Sequence, residues 1–387
     1  MIGYLLARAA IPVVVFEKHA DFLRDFRGDT VHPSTLEILD ELGLAERFLA
    51  LPHSKVSTVI GRSTSGQTVS FSLQRLPTKF PYIAFVPQWD FLEFLAAEAA
   101  HLPSFALRRS SEVVDLVEHD GAVTGVRYVD ASGTHEMPAA LVVGADGRSS
   151  RTCAVAGLQR IESSPPIDVL WFRVSRHKDE VEAVAGRFGA RTVCVMIDRG
   201  DYWQIAYVIP KGGADAIRAA GIEAFRRAVT GVAPELSDRT HEIRDWDDVK
   251  LLTVRADRLT RWYRPGYLAI GDAAHAMSPV GGVGINVAIH DAVAAANVLW
   301  RPLRGGSAAE ADLARVQRQR ERPVRLMQAF QSAVQTRFLR PTIDAARPAS
   351  VPWIVRTLAR IPVLRDLPPR LIAFGVHRPR VESPNLS

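Results

Sequence analysis

The sequence contains little cysteine: Cys153 and Cys194 are the two among 387 residues. Two isolated cysteines build neither a disulfide framework nor a multi-cysteine zinc site, so a reducing cytoplasm is the expected compartment. No uninterrupted apolar run approaches the roughly 18 residues that span a membrane. The first residues also lack the charged region, apolar core and cleavage site of a secretion signal. We therefore expect no integral membrane segment and a cytoplasmic location.

Basic residues exceed acidic ones, 48 to 42, and the net charge of +6 suggests an anionic ligand or a mildly basic surface. The densest basic patch lies along one predicted helix, at Arg315, Arg318, Arg320, Arg322 and Arg325. No helix-turn-helix, zinc-finger or RNA-binding motif accompanies this patch. We interpret it as a solvated helix face and expect no nucleic-acid partner.

The beginning of the sequence matches the second half of a dinucleotide-binding βαβ unit. Apolar residues recur at helical spacing over residues 2–9, and an apolar strand, Val13–Phe16, ends at Glu17. An acid in this place binds a ribose hydroxyl. The first strand and its G-x-G-x-x-G loop, which would precede this helix, are missing. We expect an internal start codon or a truncated reading frame, and a parallel sheet with an open apolar edge.

The stretch over residues 267–286 carries the strongest signal for a ligand site. An apolar run at 267–270 predicts a buried strand that ends at Asp272, and a glycine loop at 281–284 then opens a helix to about Trp300. A carboxylate accepts hydrogen bonds from sugar-like hydroxyls. A helix N-terminus offers free backbone N–H groups and a positive dipole end. Together they predict a site for a polar cofactor.

A second strand-end acid, Asp146, follows an apolar run at 141–143 and precedes Gly147. Cofactor-type segments of this kind alternate along the chain with strand-rich segments. This order predicts an α/β fold whose domains are discontinuous. We predict a Rossmann-like cofactor-binding domain at residues 1–50, 87–160 and 250–300, an inserted, mainly antiparallel-sheet substrate domain at 51–86 and 161–249, and a helical C-terminal segment at 301–387.

These segments resemble the FAD-dependent aromatic hydroxylases of the p-hydroxybenzoate hydroxylase type, the class A flavoprotein monooxygenases. The resemblance covers nearly the whole chain, and its most specific part is two motifs about 125 residues apart. It rests on the strand Val13–Phe16 with Glu17, Arg27-Gly28, Gln88, the motif Gly144-Ala145-Asp146-Gly147, and the motif Gly271-Asp272-Ala273-Ala274-His275 with residues 279–286. The chain departs from the family at Cys153, where relatives often have a basic residue.

The resemblance implies a role for each matching position. Glu17 would bind the adenosine ribose, Arg27 and Gln88 would line the FAD diphosphate and ribityl region, and Asp146 with Gly147 belongs to a motif that contacts FAD and NAD(P)H. At the other end of FAD, Asp272 would accept a hydrogen bond from a ribityl hydroxyl. The flavin ring would lie against Pro279 and the loop and helix start formed by Gly282, Gly284, Ile285 and Asn286.

The implied reaction is hydroxylation of a phenolic or polycyclic aromatic substrate. NAD(P)H would reduce FAD, and O₂ would add to give a flavin hydroperoxide that transfers one oxygen. Two alternatives stay open: another flavin reaction on the same fold, such as epoxidation or dehydrogenation, or a truncated, non-catalytic scaffold. A halogenase is disfavoured because no tryptophan-x-tryptophan motif lies near Trp203.

Three aromatic or basic residues invite a catalytic interpretation that we do not favour. His275 more plausibly orders its turn than acts as a base. Trp203 and Tyr207 could line a substrate pocket, but aromatics at a spacing of two in a strand are more often core residues. The sequence therefore names no group that deprotonates the substrate, no oligomeric state and no metal site.

Overall fold

The computed structural model describes residues 1–23, 29–64, 66–180, 184–189, 191–344 and 365–386. The α-helices of these residues are α1 Ile2–Arg8, α2 Pro33–Glu41, α3 Ala45–Phe48, α4 Gln88–Ala100, α5 Arg151–Val155, α6 Ala214–Ala219, α7 Ile222–Val232, α8 Gly284–Arg304, α9 Glu310–Val334, α10 Arg340–Asp344 and α11 Leu367–Phe374. A π-helical turn, Gln335–Leu339, joins α9 to α10. Short 3-10 turns occur at Pro234–Leu236, Thr240–Glu242, Trp246–Asp248, Gly271–Ala273 and Val280–Gly282.

Along the sequence, β-strands alternate with these helices. They are β1 Val13–Phe16, β2 Thr30–Val31, β3 Ser54–Val56, β4 Thr58–Ser63, β5 Thr68–Ser72, β6 Ile83–Phe85, β7 Phe105–Arg108, β8 Glu112–His119, β9 Ala122–Asp130, β10 Gly133–Pro138, β11 Val142–Gly144, β12 Arg160–Ser163, β13 Ile167–Ser175, β14 Val184–Gly189, β15 Thr192–Asp198, β16 Tyr202–Pro210, β17 Lys250–Leu252, β18 Ala256–Leu259, β19 Tyr263–Arg264 and β20 Tyr267–Ala269. The predicted α/β class is confirmed by this order.

Two small sheets with parallel pairs carry the strand ends predicted to hold the cofactor. In one sheet β1 pairs with β7, and in the other β11 pairs with β20, which also pairs antiparallel with β19. Within the described residues, β1 and β11 each have a paired neighbour on one side only. The open sheet edge expected from the sequence is therefore present in the structure.

A larger sheet of seven strands combines residues 58–72 with residues 167–252. Its strand order is β17-β13-β16-β15-β14-β4-β5, and all its pairs are antiparallel except β14 with β4. One face packs on α7, where Phe225 contacts Phe172 and Tyr207. The opposite face, including Val169 and Val208, packs with Leu339 and Ile343 of the C-terminal helices. Trp203 and Tyr207 are 3% and 7% exposed, which confirms that they are core residues.

Helix α8 lies at the centre of the cofactor-type segments. It contacts α1, α2, α9 and the 3-10 turn Gly271–Ala273. By length and apolar composition, residues Val280–Arg304 could cross a membrane, but 72% of the most apolar window is buried inside the protein. A helix packed on several sides is apolar all round because it forms the core. This burial accounts for the apolar composition of α8.

The basic patch on α9 differs from its interpretation as a solvated helix face. Four of its five arginines are exposed. Arg320 is 2% exposed, and its Nε donates a hydrogen bond to Asp291 of α8 at 2.7 Å. The interpretation is wrong for Arg320 because this position lies one helical turn from Val316 and Val324, on the buried side of α9.

Gly266, in the turn before β20, allows a prediction about the free energy of unfolding. Gly266 has φ +74°, and a Cβ added there would lie 1.8 Å from the carbonyl oxygen of Val123. We expect Gly266→Ala to lower the free energy of unfolding by about 3 to 5 kcal/mol, since left-handed strain and a backbone clash add. Gly157→Ala is the control, because Gly157 has φ +67° with nothing within 4 Å. Urea unfolding should show a loss of about 1 to 2 kcal/mol for the control; equal losses would contradict the clash.

Candidate cofactor site

The turn after β20 places Asp272 at the carboxyl end of a buried parallel strand. Tyr267, Leu268 and Ala269 are fully buried, and the chain then turns through Gly271–Ala273. The side chain of Asp272 is 32% exposed, and one of its oxygens lies 3.7 Å from Nη2 of Arg148. Partial desolvation of its carboxyl group raises the pKa of Asp272, and the positive charge of Arg148 opposes this shift. Asp272 is thus a partly accessible carboxylate beside a cation.

The loop at residues 280–282 requires glycine on geometric grounds. Gly281 and Gly282 have φ of +80° and +63°, and a Cβ on Gly282 would lie 2.6 Å from Oγ1 of Thr30. Thr30 in turn donates a hydrogen bond to the carbonyl oxygen of Gly282 at 2.7 Å. The loop therefore packs directly on β2, and Pro279 precedes it at a half-buried position.

Helix α8 begins at Gly284 directly after this loop. In the part of the chain that the structure describes, no side chain caps its first turn. The first N–H groups of a helix have no partner within the helix, so this end can bind an electron-rich group. Ile285 is half-buried at this end. The backbone from Gly284 onward is thus available to bind such a group.

The side chain of Asn286 has a different task from the backbone around it. Its Oδ1 accepts hydrogen bonds from the backbone N–H of His32 at 2.9 Å and from Oγ1 of Thr35 at 2.7 Å. Its Nδ2 donates to the carbonyl oxygen of Thr30 at 3.1 Å. Asn286 is 3% exposed. The amide of Asn286 therefore links the start of α8 to the start of α2 by hydrogen bonds. The backbone N–H groups at the start of α8 are not used by these bonds.

The second strand-end acid, Asp146, is exposed and accepts hydrogen bonds from the first turn of α5. Its carboxylate accepts hydrogen bonds from the backbone N–H of Thr152 at 3.0 Å and from Oγ1 of Thr152 at 3.1 Å. The same hydroxyl lies 2.8 Å from the phenol oxygen of Tyr267. This network joins the Asp146-Gly147 loop to the strand that ends at Asp272. Cys153 is buried beside it, with Sγ 3.4 Å from the phenol oxygen of Tyr267.

The remaining predicted residues are Glu17, Gln88 and Arg27. Glu17 follows β1, where its carboxylate accepts a hydrogen bond from the N–H of His19 at 3.0 Å. Gln88 is the first residue of α4, and its N–H donates to Oδ1 of Asp29 at 3.2 Å. Arg27 lies outside the described residues. The structure thus links Asp272 to the Asp146 loop through Arg148 and links Thr30 to the glycine loop.

His32 is a member of the site that the sequence did not indicate. It is fully buried before α2, and its Nδ1 lies 2.7 Å from the carbonyl oxygen of Ile372 in α11. Burial lowers the pKa of His32 to about 4, although the carbonyls of Ile372 and Gly282 act in the opposite direction. A neutral His32 therefore connects the C-terminal helix, through Nδ1, to the first turn of α8, through its backbone N–H and Asn286.

This pKa predicts an acid-sensitive fold. The unfolded chain binds a proton on His32 below about pH 6.5, whereas the folded chain does so only near pH 4. Protonation of His32 therefore does not affect the free energy of unfolding above about pH 6.5. As the pH falls below this value, protonation of the unfolded chain lowers the free energy of unfolding, by about 3 kcal/mol in total. We expect His32→Gln to flatten the fall in unfolding free energy between pH 7 and 4.5, measured in urea. His101→Gln, at an exposed position, should keep the wild-type slope, and an unchanged slope in His32→Gln would contradict the assignment.

The residues present fit the ribityl and ring portions of FAD. A flavin offers hydroxyl groups to a carboxylate such as Asp272, and an electron-rich ring edge to an uncapped helix start such as that of α8. Gly281 and Gly282, both with positive φ, have no side chains, so this part of the loop presents only backbone.

Comparison with known proteins agrees with this fit. The family model described as FAD binding domain matches residues 1–331. The 6-methylpretetramide 4-monooxygenase of Streptomyces rimosus is 31% identical over 388 residues, covering 99% of this chain and 91% of that protein. The 12-dehydrotetracycline 5-monooxygenase/anhydrotetracycline 6-monooxygenase of the same species is 29% identical over 318 residues, which is 78% of this chain and 59% of that longer protein.

A solved structure supports the fold independently. The p-nitrophenol 4-monooxygenase of Pseudomonas putida superposes with a TM-score of 0.75 at 18% sequence identity, covering 97% of this chain and 95% of that protein. At this identity the likeness establishes the fold, and the family match establishes the cofactor. The chain belongs to the FAD-binding domain family and is an FAD-dependent oxidoreductase.

Proposed function

We propose that the chain is a monooxygenase that uses NAD(P)H and O₂ to hydroxylate a polycyclic, phenol-type aromatic compound. The observation that carries this proposal is the juxtaposition of two features. The glycine loop and the start of α8 offer backbone N–H groups to a flavin ring, and Val280 of this loop packs against the apolar face of the seven-stranded sheet. An aromatic substrate between a flavin and an apolar sheet face has water excluded from both sides.

The backbone at the start of α8 supports the electronic side of the reaction. FAD, when bound, supplies two-electron reduction and the activation of O₂. Negative charge that develops on the ring edge is stabilised by the free N–H groups and the positive end of the α8 dipole. Asp272 orients the ribityl chain, and Glu17, Arg27 and Gln88 hold the remainder of the cofactor in this proposal. Asp146 and Gly147 shape the neighbouring strand end.

The substrate surface is apolar and aromatic. On the face of the sheet that packs with Val280, Trp171 and Phe188 lie among buried valines, and Phe338 contacts Phe188 with ring centroids 5.2 Å apart. The indole Nε1 of Trp171 is buried and has no hydrogen-bond partner among the described residues. A donor in such a place is stabilised by a ligand oxygen. This surface favours a flat aromatic substrate that carries a hydroxyl or carbonyl group.

The named substrates of the relatives agree in class with this surface. Tetracycline-type compounds are polycyclic aromatics with several oxygen substituents. The relative from Streptomyces rimosus that aligns with this chain over 91% of its length is named for 6-methylpretetramide. We also propose that the enzyme is cytoplasmic and keeps the domain division predicted from the sequence. These features support a biosynthetic or degradative hydroxylase without identifying its substrate.

One experiment separates oxygen insertion from dehydrogenation and from a non-catalytic scaffold. FAD-loaded protein is mixed with NADPH and ¹⁸O₂ in the presence of a polycyclic phenol, and both NADPH oxidation and the mass of the product are followed. A hydroxylase gives substrate-stimulated NADPH oxidation and a product heavier by one ¹⁸O atom. Product formation without ¹⁸O would establish a dehydrogenase instead. No response to any aromatic compound in a panel, with FAD bound and reducible, would contradict the proposed substrate class.

A further inference from the structure

A buried charged cluster lies where α8 and α9 pack beneath the Asp272 turn. It consists of Asp291, His275 and Arg320, whose side chains are 0%, 1% and 2% exposed. Asp291 Oδ2 lies 2.5 Å from Nε2 of His275, and Asp291 Oδ1 accepts a hydrogen bond from Nε of Arg320 at 2.7 Å. We refer to these three residues as the Asp291 cluster. Nothing in the proposed reaction uses them directly.

Asp291 contacts the chain on both sides of Asp272. Besides His275, its Oδ2 accepts a hydrogen bond from the backbone N–H of Gly271 at 3.0 Å. Gly271 immediately precedes Asp272, and His275 follows it by three residues. One carboxylate thus fixes the two ends of the short turn that carries the cofactor acid. A turn held at both ends has little freedom to move its exposed side chain.

The hydrogen-bonding pattern indicates which member of the cluster carries which charge. In the described residues Nδ1 of His275 is buried without a partner, and Nε2 is the ring nitrogen that faces Asp291. Burial alone would raise the pKa of Asp291, but His275 and Arg320 lower it to about 2. Asp291 is therefore the anion, Arg320 is its counter-charge, and His275 is a second side chain that contacts it.

Arg320 extends the cluster to the C-terminal part of the chain. Its Nη1 donates a hydrogen bond to the carbonyl oxygen of His377 at 3.3 Å. The ring of His275 packs on Trp262, which is fully buried, with centroids 4.9 Å apart. These contacts hold the cluster rigidly between α8, α9 and residues that precede β20. The turn is consequently tied to the centre of the molecule rather than to a surface loop.

We infer that Asp291 is a positioning residue for Asp272, acting through Gly271 and His275, with Arg320 as its compensating charge. The inference rests on the proposed contact between Asp272 and the ribityl chain of FAD. Asp291 itself touches no cofactor atom in this account. We therefore expect a substitution of Asp291 to change FAD affinity only when Asp272 is present.

The test is a double-mutant cycle read out as the Kd for FAD, measured by quenching of flavin fluorescence. We expect Asp291→Asn to weaken binding about tenfold, and Asp272→Asn to weaken it about 10- to 100-fold. If Asp291 acts through Asp272, the double variant should bind FAD no more weakly than Asp272→Asn alone. Losses that multiply in the double variant, or a Kd for Asp291→Asn within about twofold of wild type, would overturn the inference.

A matched control separates positioning from a general loss of stability. Arg239 and Glu180 form another largely buried ion pair, with Nη2 of Arg239 2.6 Å from Oε1 of Glu180 and side-chain exposures of 4% and 21%. Arg239 also donates to the carbonyl oxygen of Ser175, next to the seven-stranded sheet and away from the Asp272 turn. Glu180→Gln should lower the melting temperature and leave the Kd for FAD unchanged. A comparable loss of FAD affinity in Glu180→Gln would show that stability alone explains the effect.

A second variant keeps the test decisive if Asp291→Asn does not fold. His275→Ala removes one of the two contacts and retains the Asp291–Arg320 pair. Hydrogen exchange of the protein without FAD should then accelerate at the amides of residues 271–275 and stay unchanged in the middle of α8. Unchanged exchange in the turn would overturn the inference. If instead Asp272→Asn binds FAD as tightly as wild type, the proposed role of Asp272 itself fails, which is a distinguishable result.

Discussion

Asp272→Ala weakens FAD binding by about 10- to 100-fold, because a hydrogen bond between a ribityl hydroxyl and a carboxylate contributes about 1.5 to 3 kcal/mol. The carboxylate follows a fully buried strand, β20, and its side chain is 32% exposed, so it can reach a ligand. Arg148, at 3.7 Å, is the cation that faces it in the structure. The loss is measured as the change in the Kd for FAD by fluorescence quenching.

A control variant distinguishes this contact from a general effect of removing an acid. Asp215 lies in the first turn of α6 and is exposed, on the far side of the seven-stranded sheet from the C-terminal helices. Asp215→Ala should bind FAD as wild type does. An Asp272→Ala protein that folds and retains wild-type affinity would show that the ribityl contact is misassigned.

Asp29→Ala should lower the free energy of unfolding by about 3 to 5 kcal/mol, since it leaves the guanidinium of Arg199 buried without its counter-charge. The two side chains form an ion pair and are 7% and 8% exposed. Burial raises the pKa of Asp29 and Arg199 opposes this shift, which is the pattern of a desolvated pair. Arg199 also lies over the ring of Phe85 at 5.2 Å. Urea unfolding at pH 7 measures the loss.

The pair matters for function because Asp29 also accepts the N–H of Gln88 at 3.2 Å. It connects the β15–β16 turn of the seven-stranded sheet to two segments proposed to hold FAD. The double variant Asp29→Ala with Arg199→Met removes both charges and should recover most of the lost stability. A double variant as unstable as Asp29→Ala would contradict the explanation by an unpaired cation.

The local patterns of the sequence predicted most elements that position the site. The apolar run at 267–270 matches β20, and the glycine loop is followed by α8 as expected. Strand β14, Val184–Gly189, has glycine at two of its six positions and therefore no recognisable alternation of side chains. Its place in the sheet is determined by pairing with β4 and β15, which no local pattern encodes.

The site residues that the sequence could not reveal depend on contacts between distant parts of the chain. Asp29 and Arg199 are 170 residues apart, and His32 and Ile372 are 340 residues apart. Arg320 was assigned to a solvated face because charge dominates its local sequence, whereas its partner Asp291 lies on another helix. Motifs predicted the residues proposed to touch the cofactor, but tertiary packing decides which residues support them.

The most direct test of the account is equilibrium binding of FAD to the chain at neutral pH. The uncapped start of α8, the glycine loop and Asp272 should together hold FAD in a one-to-one complex with a Kd of about 1 μM or below, equivalent to roughly −8 kcal/mol. The bound flavin should bleach on addition of NADPH under argon. Protein that is folded by circular dichroism but shows no saturable quenching of flavin fluorescence would contradict the account.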